Sequence, residues 1–154
     1  MQPFLPRFAV VTAIAIGLVS TACTSLPTHK EAISTTSAPK AIGPYSQAIK
    51  AGPMLFLSGQ LPIDPRNDQL MKDASVEDQT KLVLENLKAV LAANGMTMAN
   101  VVSTSVFVKD LNDFGKVNAT YATFFPETPP ARATVEVARL PRDVKVEISA
   151  IAVQ

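Results

Sequence analysis

The sequence contains no tryptophan, one histidine (His29) and one cysteine (Cys23). Both of the latter precede Glu31, where globular patterning begins. Their scarcity excludes a Ser-His-Asp triad, a Cys-His pair, a zinc site built on His or Cys, and an internal disulfide within one chain. An excess of one charge is also lacking: 14 Lys and Arg stand against 13 Asp and Glu. No basic run forms a patch, and the two tyrosines and seven phenylalanines are not interleaved with one. Nothing in this balance draws the chain to nucleic acid or to an acidic lipid surface. Carboxylates, Arg or Lys, Tyr, Ser/Thr hydroxyls and backbone groups remain for any chemistry. At 154 residues the chain suits one domain with a real core.

The long apolar run is N-terminal. Arg7 is followed by the uncharged stretch from Phe8 to Ala22, which as a helix would span ~22 Å, short of a ~30 Å hydrocarbon core. A charged start, a short apolar run and the small residues Ser20-Thr21-Ala22 read as a secretory signal over residues 1–22. Cys23 follows at once, as in bacterial lipoprotein signals, where that cysteine is lipidated. Ser20 stands where such signals usually carry Leu, so cleavage by ordinary signal peptidase after Ala22 is the competing reading. Residues 23–31 read as a polar tether in which His29 is a solvated residue, and residues 32–154 as the domain. The expectation is an exported protein, periplasmic or held to a bacterial envelope membrane through Cys23 alone.

Within the domain, residues 32–36 suggest a short edge strand ended by Ala38-Pro39. Residues 47–50 and 54–58 flank Ala51-Gly52-Pro53, a hairpin signal, and Gly59 with Pro62 to Pro65 opens a loop. Ser75 starts a helix with capping-box-like spacing to Asp78. Val83, Leu84, Leu87, Val90 and Leu91 form its apolar stripe, and Asn94-Gly95 its stop. Residues 101–109 are a strand rich in β-branched residues with two apolar faces. A second helix starts at Asn112 or Asp113, carries Phe114, Val117, Tyr121 and Phe124/Phe125, and ends before Pro126. Two further strands close the chain. The order gives an α+β fold with two helices on one face of a sheet. The opposite, small-residue face then needs a cover, and a second copy of the chain supplies it.

The last two strands, in ARATVEVARLPRDVKVEIS (131–149), read as an antiparallel hairpin in which Val137 pairs with Val144. That register sends Arg132, Thr134, Glu147 and Ser149 to one face, with Arg132 and Glu147 diagonal neighbours. An exposed ion pair, worth about 0–1 kcal/mol, is the plainer account. The chemical account is a guanidinium fork that grips a carboxylate and a nearby carboxylate that holds a water.

The segments AIGPYSQAI (41–49), LFLSGQLPIDP (55–65), VFVKDLNDFGKVNATYATFF (106–125) and PARATVEVARLPRDVKVEISAIAV (130–153) resemble the RidA (YjgF) reactive intermediate deaminase family. The resemblance covers about residues 32–154. It implies a chorismate-mutase-like mixed sheet with two helices on one face, a homotrimer with clefts between subunits, and no metal or organic cofactor. It implies hydrolysis of enamines and imines of the 2-aminoacrylate and 2-aminocrotonate type to 2-keto acids and ammonia. By position, Arg132 matches the arginine that binds the substrate carboxylate and Glu147 the glutamate that positions the attacking water. Tyr45, Ser58, Gly59 and Asn118 match cleft residues.

Read singly, each has a blander account. Tyr45 is then a turn residue after Gly43-Pro44, Ser58-Gly59 a strand end, Asn118 a bridge in its helix and Thr134 β-branched filler. The chain departs from the family pattern at Thr134, where many members carry Cys, at Pro129, where an aromatic is frequent, and at Ser149, where a second acid is frequent. A non-catalytic member that binds a small ligand or a protein in the cell envelope is the alternative function. RNA cleavage or a chaperone role, claimed for some relatives, forms a third class, and the neutral charge weighs against RNA. On the lipoprotein reading, a fatty-acid probe fed to cells labels the native protein and not a Cys23→Ser variant. Equal absence of label in both would leave ordinary cleavage.

Overall fold

The computed structural model describes residues 29–154. The signal over 1–22, Cys23 and most of the tether lie outside the described residues. Strand β1 (Lys30–Ile33) begins inside the stretch read as tether and stops before Thr36. His29 directly precedes it.

β2 (Ala48–Ala51) and β3 (Met54–Gln60) form the expected hairpin. Its turn places Gly52 at φ 58°, a left-handed conformation that glycine adopts without a Cβ clash. The segment read as loop contains a small hairpin of its own, β4 (Ile63–Asp64) and β5 (Gln69–Leu70). Helix α1 (Val76–Ala93) starts where Ser75 Oγ accepts the Asp78 N–H at 3.1 Å. It ends at Asn94, with Gly95 left-handed at φ 69°. Leu84, Leu87 and Leu91 on its stripe are fully buried.

β6 (Val101–Val108) is followed by a 3-10 turn over Leu111–Asp113 and then α2 (Phe114–Ala122). α2 begins a residue or two later than read, because Asp110 accepts the Asn112 N–H and organises the turn first. β7 (Ala131–Glu136) and β8 (Val146–Val153) complete the sheet.

The six strands run in the order β1-β2-β3-β8-β6-β7. Every pairing is antiparallel except β6 with β7, which is parallel. This overturns the expected hairpin of residues 131–149. β7 and β8 are not neighbours; β6 lies between them. Parallel neighbours require a crossover, and α2 supplies it in a β6–α2–β7 unit. The connection over residues 137–145 then steps across β6 instead of turning back, so Val137 and Val144 are not strand partners, although Val137 packs against the cluster that holds Val144.

Both helices pack on one side of the sheet and against each other. Val106, Val108, Val146, Ile148 and Ala152 point into that core. The other side is left open and partly apolar, with Phe56 and Val135 exposed. A register shift at the start of β6 also leaves Val102 exposed rather than sharing a face with Thr104. Among the described residues no helix is long and apolar enough to cross a membrane. Leu91→Ala should cost about 2–5 kcal/mol, since this side chain is fully buried and the core closes only partly around the gap. Chemical denaturation measures it at fixed protein concentration.

Candidate functional site

Strand parity decides which candidates can meet. Arg132 pairs with Thr104, and Thr134 with Val106; both partners are buried in the helix-side core. Glu147 pairs with Phe107 and Ser149 with Ser105. Thr104 and Phe107 are an odd number of residues apart on one strand, so their side chains emerge on opposite faces. Arg132 and Thr134 therefore project on the helix side, Glu147 and Ser149 on the open side. The expectation of one shared face fails because β7 takes its register from β6 and not from β8.

The candidates separate into two half-sites. The first lies where β3 meets β8. The register slips between Leu57 and Gln60, a bulge at Ser58-Gly59. The Glu147 side chain lies over Gly59, and a Cβ built there would overlap the carboxylate. Tyr45, Ser58, Gly59 and Glu147 line one recess of about 280 Å³, with Ile42, Leu61 and Pro141 as apolar wall. The hydroxyl of Ser58 donates to the Ser46 carbonyl at 2.7 Å, which orients it and leaves its oxygen free to accept. The Tyr45 hydroxyl accepts the Ile42 N–H at 3.2 Å, closing the 42–45 turn on itself. Glu147 is half-buried, and burial pushes its carboxyl above the ordinary 4.5.

The second half-site lies between α2 and β7. The Arg132 guanidinium sits 4.7 Å from the Tyr121 ring centroid and 5.8 Å from that of Phe114. Such stacking is worth ~0.5–1 kcal/mol at an exposed site, and it fixes the plane of the fork. The Tyr121 hydroxyl is in turn hydrogen-bonded to Thr104 at 2.8 Å. Burial raises the Tyr121 hydroxyl, against the opposing pull of Thr104 and of the Arg132 charge. Among the described residues no carboxylate pairs with Arg132, whereas Arg66 and Arg139 each hold an aspartate. Asn118 Oδ1 and Thr134 Oγ1 are buried without a hydrogen-bond partner. A cation fork with no anion, beside unused polar atoms, is suited to a small carboxylate.

Phe114 and Tyr121 had been read only as core stripe. Their spacing of seven along α2 puts them on one helix face, and that spacing was the available signal. Ile42, Leu61 and Pro141 carried no signal, since the loops that hold them converge only in three dimensions. Among the described residues no group of three His, Cys, Asp or Glu is placed to hold a metal ion.

The model of a family described as endoribonuclease L-PSP matches residues 35–154. Among solved structures, the YjgF gene product of Escherichia coli superposes with a TM-score of 0.77 at 50% identity, over 80% of this chain and 98% of that one. The chain belongs to the RidA/YjgF family. Its two helices on a mixed sheet are the fold of that family's solved members. A 2-iminobutanoate/2-iminopropanoate deaminase of Salmonella typhimurium is 54% identical over 125 residues, 79% of this chain and 96% of that relative. A RutC family protein of Pyrococcus horikoshii is 55% identical over 123 residues, 80% of this chain and 97% of its own length. The E. coli TdcF structure with bound serine matches with a TM-score of 0.77 at 46% identity, covering 80% of this chain and 98% of TdcF.

The Glu147 carboxyl yields a test of its own. Its folded-state pKa lies above the unfolded one, so the native protein binds that proton more readily. The contribution of this one group to native stability is then greatest at low pH and falls as pH rises from the ordinary 4.5 through the raised value. Glu147→Gln, which cannot ionise, should be the more stable protein at pH 7 and lose that advantage as the pH is lowered through the carboxyl's range. Denaturant midpoints at equal protein concentration measure the difference.

Proposed function

We propose that this protein is a cofactor-independent hydrolytic deaminase of small, carboxylate-bearing enamines and imines, of the 2-aminoacrylate and 2-aminocrotonate type. Relatives named 2-iminobutanoate/2-iminopropanoate deaminase at about half identity support deaminase activity of the RidA kind. What carries the reading to residues is Glu147: a desolvated carboxyl held in a recess with two hydroxyls, in a chain whose unpaired arginine fork can hold an acid.

Arg132 binds the substrate carboxylate at two points and sets the orientation, which alone removes a large part of a barrier. The enamine takes a proton on carbon and becomes an imine with an electrophilic carbon. A water beside Glu147 adds to that carbon, forming the C–O bond and passing a proton to the carboxylate. That proton passes to nitrogen to give a carbinolamine. The hydroxyl proton then moves through the carboxylate to nitrogen as the C–N bond breaks, ammonia leaves and the carbonyl of the 2-keto acid forms. Tyr45, Ser58 and the Gly59 backbone line the pocket for this sequence, and Asn118 and Thr134 lie on the arginine side.

Arg132 and Glu147 lie on opposite sides of one sheet, so a single chain cannot present both to one substrate. We place Arg132 of one copy beside Glu147 of the next, in a homotrimer whose contacts cover the open sheet face. The serine bound to TdcF favours a second reading, a binding-only amino-acid site. The family's endoribonuclease description finds no support in a chain of balanced charge. We place the protein outside the cytoplasm on its N-terminal signal, upstream of the family match.

The chain from Thr24 onward should release keto acid from 2-aminocrotonate generated in situ, faster than background. Arg132→Ala and Glu147→Ala should each abolish the acceleration. Subunits carrying one lesion each, co-assembled at equal ratio, should recover about a quarter of native activity, because random heterologous contacts rebuild that share of sites. Unchanged rates in both single variants would leave the binding module. A monomeric mass by light scattering, or no recovery on mixing, would remove the two-copy site.

A further inference from the structure

We propose that Gln79 and Asn86, two buried amides of α1, are positioning residues that hold Glu147 over Gly59. The need for such a device comes from the bulge. β3 and β8 are paired along most of their length, but the ladder slips between Leu57 and Gln60, beside Glu147. Glu147 itself is paired with Phe107 of β6. Ser58 and Gly59 have no partner on β8, and pairing resumes only at Gln60 opposite Ile148. The gap between the carboxylate and the Gly59 backbone is therefore spanned by no ladder hydrogen bond of its own. Each strand leaves the sheet here into a loop, and each loop is gripped from α1.

On the β3 side, Asn86 Nδ2 donates to the carbonyls of Leu61 and Ile63 at 3.1 and 3.0 Å. Leu61 itself lines the recess, two residues beyond Gly59. On the β8 side, Gln79 Oε1 accepts the Lys145 N–H at 2.9 Å, two residues before Glu147. The same amide donates through Nε2 to the carbonyls of Lys72 and Ala74 at 2.8 and 3.3 Å. Lys145 Nζ also donates to the Ala74 carbonyl, at 2.6 Å. Gln79 is 0% and Asn86 2% exposed. Their spacing of seven puts both on one face of α1, a rigid rod spanning the two loops.

An amide suits the Gln79 set because it must accept one hydrogen bond and donate two from the same group, where a hydroxyl or a neutral imidazole has a single donor. Between the two grips, Leu61 and Ile63 pack with Leu140 and Val144 in a small apolar cluster that backs the recess. Removing either amide leaves buried carbonyls or an N–H without a partner, and the freed loop moves to find water. The carboxylate two residues away then leaves its desolvated place. Among the residues lining the recess, Tyr45 is the other titratable group.

The proposal rests on the deaminase reading for its rate measurement and is independent of it for its titration measurement. Carbon-detected NMR titration of Glu147 should show a midpoint above the ordinary carboxylate value in the native protein, moved down in Asn86→Ala and in Gln79→Ala. Turnover of 2-aminocrotonate should fall at least tenfold in kcat, with KM changed less than threefold, because Arg132 is untouched. Leu91→Ala, destabilised but remote from both loops, should leave midpoint and kcat as in the native protein. Unmoved Glu147 titration in both folded amide variants, or an equal shift in Leu91→Ala, overturns the proposal. If native protein shows no turnover, the deaminase reading fails while the titration still decides this one. If the amide variants do not fold, hydrogen exchange in the native protein decides. The Lys145 N–H should exchange as slowly as those of β8, and fast exchange would show that the Gln79 grip does not hold.

Discussion

The parallel pairing of β6 with β7 is the constraint on which the rest of the molecule depends. A parallel neighbour cannot be reached by a tight turn, so the chain must cross the sheet, and α2 is the crossover. That crossing places Phe114 and Tyr121 beneath β7, where they receive the Arg132 guanidinium. It also makes β7 an edge strand and sets Arg132 by the register of β6. With Arg132 fixed on the helix side and Glu147 on the open side, the two candidate side chains cannot meet within one chain.

Both half-sites are built on economical supports. Arg132 lies over the rings of Phe114 and Tyr121, with no carboxylate paired to it among the described residues. Glu147 occupies the space that a side chain at residue 59 would fill, so the absence of a Cβ is part of the recess. Buried side-chain amides then take over where ladders stop. Gln47 ties down the 35–39 segment through the carbonyls of Thr35, Ala38 and Pro39, as Gln79 and Asn86 do at the other loops. Loops braced from the core in this way keep their backbone groups satisfied without regular structure.

How much of this could be read in the sequence depended on whether the deciding contact was local. α1 was legible at both ends and along its stripe, because Ser75, the leucines and Asn94-Gly95 act within one or two turns of themselves. The β2–β3 hairpin was legible for the same reason at Gly52. Arg132 and Glu147 were singled out through family resemblance, and Tyr45, Ser58 and Gly59 line one recess with Glu147. Their relative placement was not legible. A nine-residue connection between β7 and β8 looks alike whether it turns back or steps over a neighbour. The strand–helix–strand run over 101–136 was the contrary signal, since such a run favours parallel pairing. Strand parity then turned one topological error into a reversal of every side chain on β7.

The edge position of β7 has a consequence for how this protein behaves when scarce. On the two-copy reading, the functional pair exists only while subunits are together, so dilution below the assembly constant removes sites in proportion to dissociation rather than slowing each one. Specific activity would then climb with concentration and level off. A separated subunit would meanwhile show water both the rim of β7 and the apolar side of the sheet, making aggregation the rival fate of an unassembled chain.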